Sequence, residues 1–163
     1  MRRRVVGEVE LIRENRGSEM GEVLAVCTSK DKGEKKTPVE SVLLKEEWGI
    51  EGDAHAGNWP RQVSLLASES IQKMKDKGLS LGAGDFAENI TTSGIDLPKL
   101  KIGTKLLLGD QIELEITQIG KECHNGCAIF QQVGFCVMPK EGVFARVLKG
   151  GTVRQGDQIR IVG

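Results

Sequence analysis

Apolar residues recur mostly at every second position along this chain, in short runs separated by glycine-rich or charged stretches. "GEVLAVCTS" (21–29) reads as a strand, and "TPVESVLLK" (37–45) as another with Pro38 at its start. "RQVSLLA" (61–67) is a third. "KLLLGDQIELEIT" (105–117) places two apolar runs around Gly109-Asp110, the signature of a tight hairpin. "GTVRQGDQIRIV" (151–162) repeats the pattern of "GTKLLLGDQIELEI" (103–116) and predicts a second hairpin. "GVFARVLKGG" (142–151) fits a strand or one short turn, and "KDKGEKK" (30–36) reads as a charged, solvated loop. Only "ESIQKMKDK" (69–77) has a helical period. Ser68 is placed to cap it, Glu69 faces the positive end of the dipole, Ile71, Met74 and Leu79 would bury, and Gly78 would stop it. The pattern predicts a mostly-β domain, a closed or partly closed barrel with one or two short helices.

Composition narrows the class. A chain of 163 residues is most simply one domain with an ample core. Its 23 basic and 23 acidic residues cancel, so nothing favours nucleic acid or an anionic membrane as partner, although a few local cations suffice for a small anion. No apolar run reaches the roughly 18 residues of a membrane span. The start, "MRRRVVGEVELIRENRG", lacks the apolar core of a secretory signal, which points to the cytoplasm. There Cys27, Cys123, Cys127 and Cys136 are expected as thiols, with Cys27 and Cys136 serving as small buried hydrophobes.

Three stretches carry candidate chemistry. "GIEGDAHAGNWPRQVSLL" (49–66) holds Asp53, His55 and Arg61 in a glycine-rich loop, with Arg61 suited to fork onto a phosphate. The bland alternative is that Asp53 caps a turn and His55 lies on the surface. In "GAGDFAENITTSGID" (82–96), Glu88 and Asn89 either bind a ligand or close a turn. "GKECHNGCAIF" (120–130) offers Cys123 with Lys121 and His124 beside it to favour a thiolate. Cys123, His124, Cys127 and Cys136 are also four candidate zinc ligands, but the lone position of Cys136 departs from the paired spacing of structural zinc sites. The residues alone leave nucleophile and metal ligand open at Cys123.

Taken in order, "GIEGDAHAG…RQVSLLASESI", "GDFAENITTSGIDL", "GKECH..C" and "VMPKEGVFARVLKGGTVRQGD" resemble a MOSC domain, the family named after the C-terminal domain of molybdenum cofactor sulfurases. The resemblance runs from about Met20 to the end, so residues 20–163 would be the domain and 1–19 an extension or first strand. It implies a curved β-barrel associated with the pterin-based molybdenum cofactor (molybdopterin), with no haem or flavin. Cys123 would be the molybdenum thiolate or a persulfide-carrying nucleophile. Arg61, Lys121 and Arg146 would be the cations on the pterin phosphate or near the metal's oxo groups. Asp53, His55, Glu88, Asn89 and His124 would line the same cleft. The implied function is binding of molybdenum cofactor or carriage of sulfur in its metabolism, with a sulfur donor or cofactor biosynthesis proteins as partners. The alternatives are a cofactor-dependent reductase of N-hydroxylated compounds and a non-catalytic barrel with a structural metal.

Overall fold

A computed structural model describes residues 20–32, 34–76, 78, 82–120 and 141–162. Within them the chain forms β1 (Met20–Thr28), β2 (Thr37–Val39), β3 (Ser41–Lys45), β4 (Gly49–Ile50) and β5 (Val63–Ala67), then helix α1 (Ser68–Lys75). There follow β6 (Ile90–Ser93), a 3-10 turn (Leu97–Lys99), β7 (Lys105–Leu108), β8 (Ile112–Ile119), β9 (Val143–Lys149), β10 (Gly151–Arg154) and β11 (Gln158–Ile161).

Seven strands close a mixed barrel in the order β11-β7-β8-β9-β5-β6-β1, with β1 pairing back onto β11 through Met20↔Arg160 and its neighbours. The β5–β6 pair is parallel, and α1 lies in the crossover between them. The alternation read from the sequence is the wall of this barrel. Ile112, Leu114 and Ile116 of β8 point inward with Val143, Ala145 and Val147 of β9, while Glu113, Glu115 and Arg146 point outward. Such alternation is what a half-solvated antiparallel strand requires. α1 packs on β5 and β6 and buries Ile71 and Met74, as the helical period predicts.

The sequence expectations are corrected at three points. The run 37–45 is two strands in two sheets: β2 pairs with the barrel edge at β1, the chain breaks at Glu40, and β3 joins a separate sheet of order β10-β3-β4. Ser68 does not cap α1; Ala67 occupies the N-cap with no side-chain bond, and Ser68 is the first helical residue. The second "GDQI" does not close a hairpin. Gly109 and Asp110 do join paired strands β7 and β8, but the matching turn at Gly156 links β10 to β11, which belong to different sheets. That turn is held by β1 instead, with Gly156 N–H donating to the Val23 carbonyl and Val23 N–H to that of Asp157. The stretch 142–151 is a strand, β9.

Candidate functional site

The loop that joins β4 to β5 (51–62) carries Asp53, His55, Trp59 and Arg61 across the outer face of β8 and β9. Two features anchor it. The β8–β9 register shifts between Ile116 and Gln118, and the extra residue, Thr117, turns its hydroxyl toward the carbonyls of Pro60 and Phe144. Gln62 accepts a bond from Val147 N–H at 2.9 Å. Bulges of this kind commonly re-aim side chains beside functional sites.

Asp53 is buried, but by a partner the sequence did not reveal. Lys36, read from the sequence as part of a solvated loop, is only 3% exposed and reaches Asp53 Oδ1 at 2.8 Å. Lys36 Nζ also bonds Ser29 Oγ at 2.9 Å and His55 Nδ1 at 3.0 Å. Asp53 accepts further bonds from the backbone N–H groups of Ser29 and His55. Burial alone would push the Asp53 carboxyl up; the Lys36 ammonium and the two N–H groups outweigh it and hold the group below its ordinary value. A charged lysine in a Lys/Glu-rich run is thus drawn inside by a carboxylate 17 residues away.

Next to this pair lies an aromatic and cationic cluster. The His55 and Trp59 rings are parallel, 5° apart with centroids at 6.3 Å, and Trp59 Nε1–H donates to the His55 carbonyl at 2.7 Å. Lys32 Nζ sits 4.4 Å from the Trp59 ring centroid and Arg61 Cζ sits 4.7 Å from it, with Arg61 also 5.7 Å from that of Phe144. Among the described residues, neither Lys32 nor Arg61 has a carboxylate within ion-pair distance. Cations over aromatic faces are held in place without being neutralised.

The remaining candidates are placed differently. Arg146 shares the outer face of β9 with Phe144, but it is engaged by Glu115, its cross-strand partner, at 2.7 Å and by Glu47 at 3.2 Å. Its charge is matched where that of Arg61 is not. Glu88 and Asn89 have no exposed surface, which corrects the expectation that they line the cleft. Glu88 accepts bonds from Gly84 N–H, Phe86 N–H and the Thr91 hydroxyl, and burial raises its pKa above the ordinary carboxylate value against those bonds. Asn89 accepts from Ser64 and donates to the Cys27 carbonyl, tying the 82–89 loop to β5 and β1. Gly84 in this loop adopts φ +85°, and a Cβ there would meet the Lys36 carbonyl at 2.1 Å, so only glycine fits. Cys27 is buried as expected, and its thiol is pushed up to about 12 by burial first and by Glu88 second.

Lys121, Cys123, His124, Cys127 and Cys136 lie outside the described residues. The neighbouring framework is described: Gly120 N–H bonds the Gly142 carbonyl at 2.6 Å, closing the rim one residue beyond the Ile119↔Val143 pair. In the sequence Cys123 follows Gly120 by three residues. Among the described residues no three histidine, cysteine or acidic side chains converge as a metal site. No described helix is long and apolar enough to cross a membrane.

The model of the MOSC domain family matches residues 52–160, more than half of the chain, and the chain belongs to that family, which is associated with molybdenum cofactor-related function. The match opens at Gly52, beside Asp53. The fold is similar to that of the YuaD protein from Bacillus subtilis, with TM-score 0.74 and 18% identity over 87% of this chain and 95% of that one. It is also similar to YiiM from Geobacillus stearothermophilus (TM-score 0.69, 22% identity, 88% and 75% coverage) and YiiM from Escherichia coli (0.65, 18%, 88% and 70%). No curated protein sequence matches it significantly.

Proposed function

We propose that this protein binds molybdenum cofactor on the outer face of β8 and β9, beneath the 51–62 loop, with Cys123 as the functional thiol. The reading is carried by Arg61, whose guanidinium has no ion-pair partner among the described residues and lies over Trp59 and Phe144 beside the strand ends that lead to Cys123. Lys32, over the same indole, adds a second cation. This donor set fits an anionic group: a planar guanidinium and an ammonium suit the pterin phosphate, and a thiolate suits molybdenum. When bound, the cofactor supplies a redox-active metal and a soft site for sulfur or oxygen. The protein's part is to hold the phosphate, orient the pterin against the barrel and present Cys123 either as metal ligand or as persulfide carrier. His55 adds a polar edge to the site, Asp53 and Lys36 fix the loop from below, and Lys121 and His124 stand in sequence next to the thiol to favour its charged form.

The test is expression in a host that makes the cofactor, followed by elemental analysis for molybdenum, zinc and sulfane sulfur and by pterin fluorescence. Arg61→Ala and Lys32→Ala should each weaken loading, by about 1.5–3 kcal/mol for a charge-assisted bond, without unfolding the barrel. Normal loading in both variants, or stoichiometric zinc with no pterin, would count against the reading.

A further inference from the structure

Lys32, from the loop after β1, and Arg61, from the loop after β4, come together at one indole. Lys32 Nζ lies 4.4 Å and Arg61 Cζ 4.7 Å from the Trp59 centroid. Among the described residues no carboxylate is within ion-pair distance of either cation. Three acids of the same two loops are engaged elsewhere. Glu51 pairs with Lys45 at 2.8 Å, Asp53 pairs with Lys36 at 2.8 Å, and Glu34 accepts from Asp31 N–H at 3.3 Å. Trp59 itself is held firmly. Its Nε1–H donates to the His55 carbonyl at 2.7 Å, and its backbone N–H to the Gly57 carbonyl at 3.0 Å. Gly57 lies against the ring edge, where a Cβ would come within 3.5 Å of Trp59 Cδ1. The Thr117 hydroxyl is directed at the Pro60 carbonyl and fixes the backbone between Trp59 and Arg61 on the β8 bulge. The ring is thus a fixed platform for two long, otherwise mobile side chains.

We infer that Trp59 is a positioning residue: its indole keeps Lys32 and Arg61 together without neutralising them, and so builds a site that selects a doubly charged oxyanion, the terminal group of a phosphate monoester. Two like charges repel and would separate in water, whereas the electron-rich face of an indole attracts both. A carboxylate in the place of the ring would order the cations equally well, but it would cancel the charge that an anion needs. Arg146 shows that case: Glu115 and Glu47 order it and match its charge. On Trp59 the guanidinium fork and the ammonium keep their donors for a ligand. The preference for two negative charges follows from the two cations. A phosphate monoester carries nearly two charges near neutral pH, a diester only one. The inference rests on the reading of Arg61 and Lys32 as phosphate-binding cations; it adds what gathers them and which charge they select.

Methyl phosphate and dimethyl phosphate isolate the charge, since both are small tetrahedral phosphates. Phosphorus NMR titration of the full chain near neutral pH should show the monoester bound about tenfold more tightly than the diester. Trp59→Leu should weaken the monoester by about tenfold, leave the diester nearly unchanged and so bring the ratio close to one. Trp59→Phe, which keeps an aromatic face, should recover part of the ratio. A ring that serves folding alone would weaken both ligands equally; an intact ratio in Trp59→Leu would therefore overturn the inference. The chain has two tryptophans, so Trp48→Phe leaves Trp59 as the single indole. Its emission should change saturably with the monoester, and binding without that change would place the anion elsewhere and overturn the inference too. Should Trp59→Leu fail to fold, Lys32→Gln and Arg61→Gln in the Trp48→Phe background carry the test. Each should bring the ratio close to one and alter Trp59 emission in the absence of ligand, and parent-like values of either quantity would overturn the inference. Pterin loading keeps the two readings apart. Normal loading in Trp59→Leu beside lost loading in Arg61→Ala would remove the role of Trp59 alone. Selective monoester binding by a protein that takes up no pterin from its host would remove the cofactor and leave the role of Trp59 standing.

Discussion

Lys36 Nζ and Asp53 Oδ1 lie 2.8 Å apart with both side chains withdrawn completely from solvent. The pair joins the loop after β1 to the loop after β4, and everything displayed above it, from His55 to Arg61, depends on that junction. A buried ion pair of this kind contributes less to net stability than to the choice of one loop geometry, because desolvating both charges offsets most of their attraction.

Removing one partner is therefore expected to cost far more than removing both. Asp53→Asn or Lys36→Met alone should destabilise the barrel by about 3–5 kcal/mol in denaturant titration, and the double variant by clearly less than the two losses added. The folded pKa of Asp53 lies below the unfolded value of about 3.9, so its contribution is complete above that pH and is lost as pH falls through the folded value. Asp53→Asn should flatten the parent's loss of stability below about pH 4; an unchanged acid limb would contradict the assignment.

Glu88 has the opposite sign. Its folded pKa is raised by burial, so the parent loses stability as pH climbs from the unfolded value of about 4.3 toward the folded one. Glu88→Gln should be less stable than the parent by about 1–3 kcal/mol near pH 4, because an amide accepts fewer of the three bonds made by Gly84, Phe86 and Thr91. The difference should narrow toward pH 7. Thermal melts across that range check it, and a gap that widens with pH would refute it.

Two substitutions in one loop should act in opposite directions. Gly84→Ala forces a Cβ into the Lys36 carbonyl from a left-handed backbone and should cost at least about 3 kcal/mol. Ala87 already holds φ at +65°, where glycine is unstrained, so Ala87→Gly should stabilise by about 0.5–1 kcal/mol. Equal and small effects at both positions would mean that the loop relaxes freely.

Cysteine reactivity should divide the thiols. Cys27, buried and pushed up to about 12, should resist alkylation at pH 7.5 until the protein is unfolded. Cys123 should label first, and Cys123→Ser should lose cofactor or persulfide loading while Cys136→Ser loses stability alone. Loss of loading in Cys127→Ser, with Cys123→Ser intact, would assign the role to the other thiol.

The barrel wall was legible because its information is local. The alternation of β8 and the helical spacing of Ile71 and Met74 are written within a few residues. The exchange of sheets at Glu40 was not legible, nor was the fate of the second "GDQI". Turn chemistry sets a local bend, whereas the partner strand is chosen by residues far away, and here Val23 of β1 holds the turn. At the site, the charged and aromatic side chains of 53–61 were visible as candidates, but their roles depended on Lys36. A lysine in "KDKGEKK" looks solvated until Asp53, in a glycine-rich loop, is seen to need a counter-charge. Arg146 looked as available as Arg61 because its cross-strand partner Glu115 is 31 residues away.

The closure of β1 on β11 bears on how the protein is made. Across the seam Met20 to Glu22 pair with Gln158 to Arg160, and β7 pairs with the same strand on its other side. During synthesis the staves before β11 can assemble only as an open sheet with two unpaired rims, each a template for pairing with another chain. A nascent chain halted before β11, or a variant that weakens Ile159 and its neighbours, is expected to emerge as an aggregation-prone sheet, so the step that seals the barrel is also the one that protects it from its own kind.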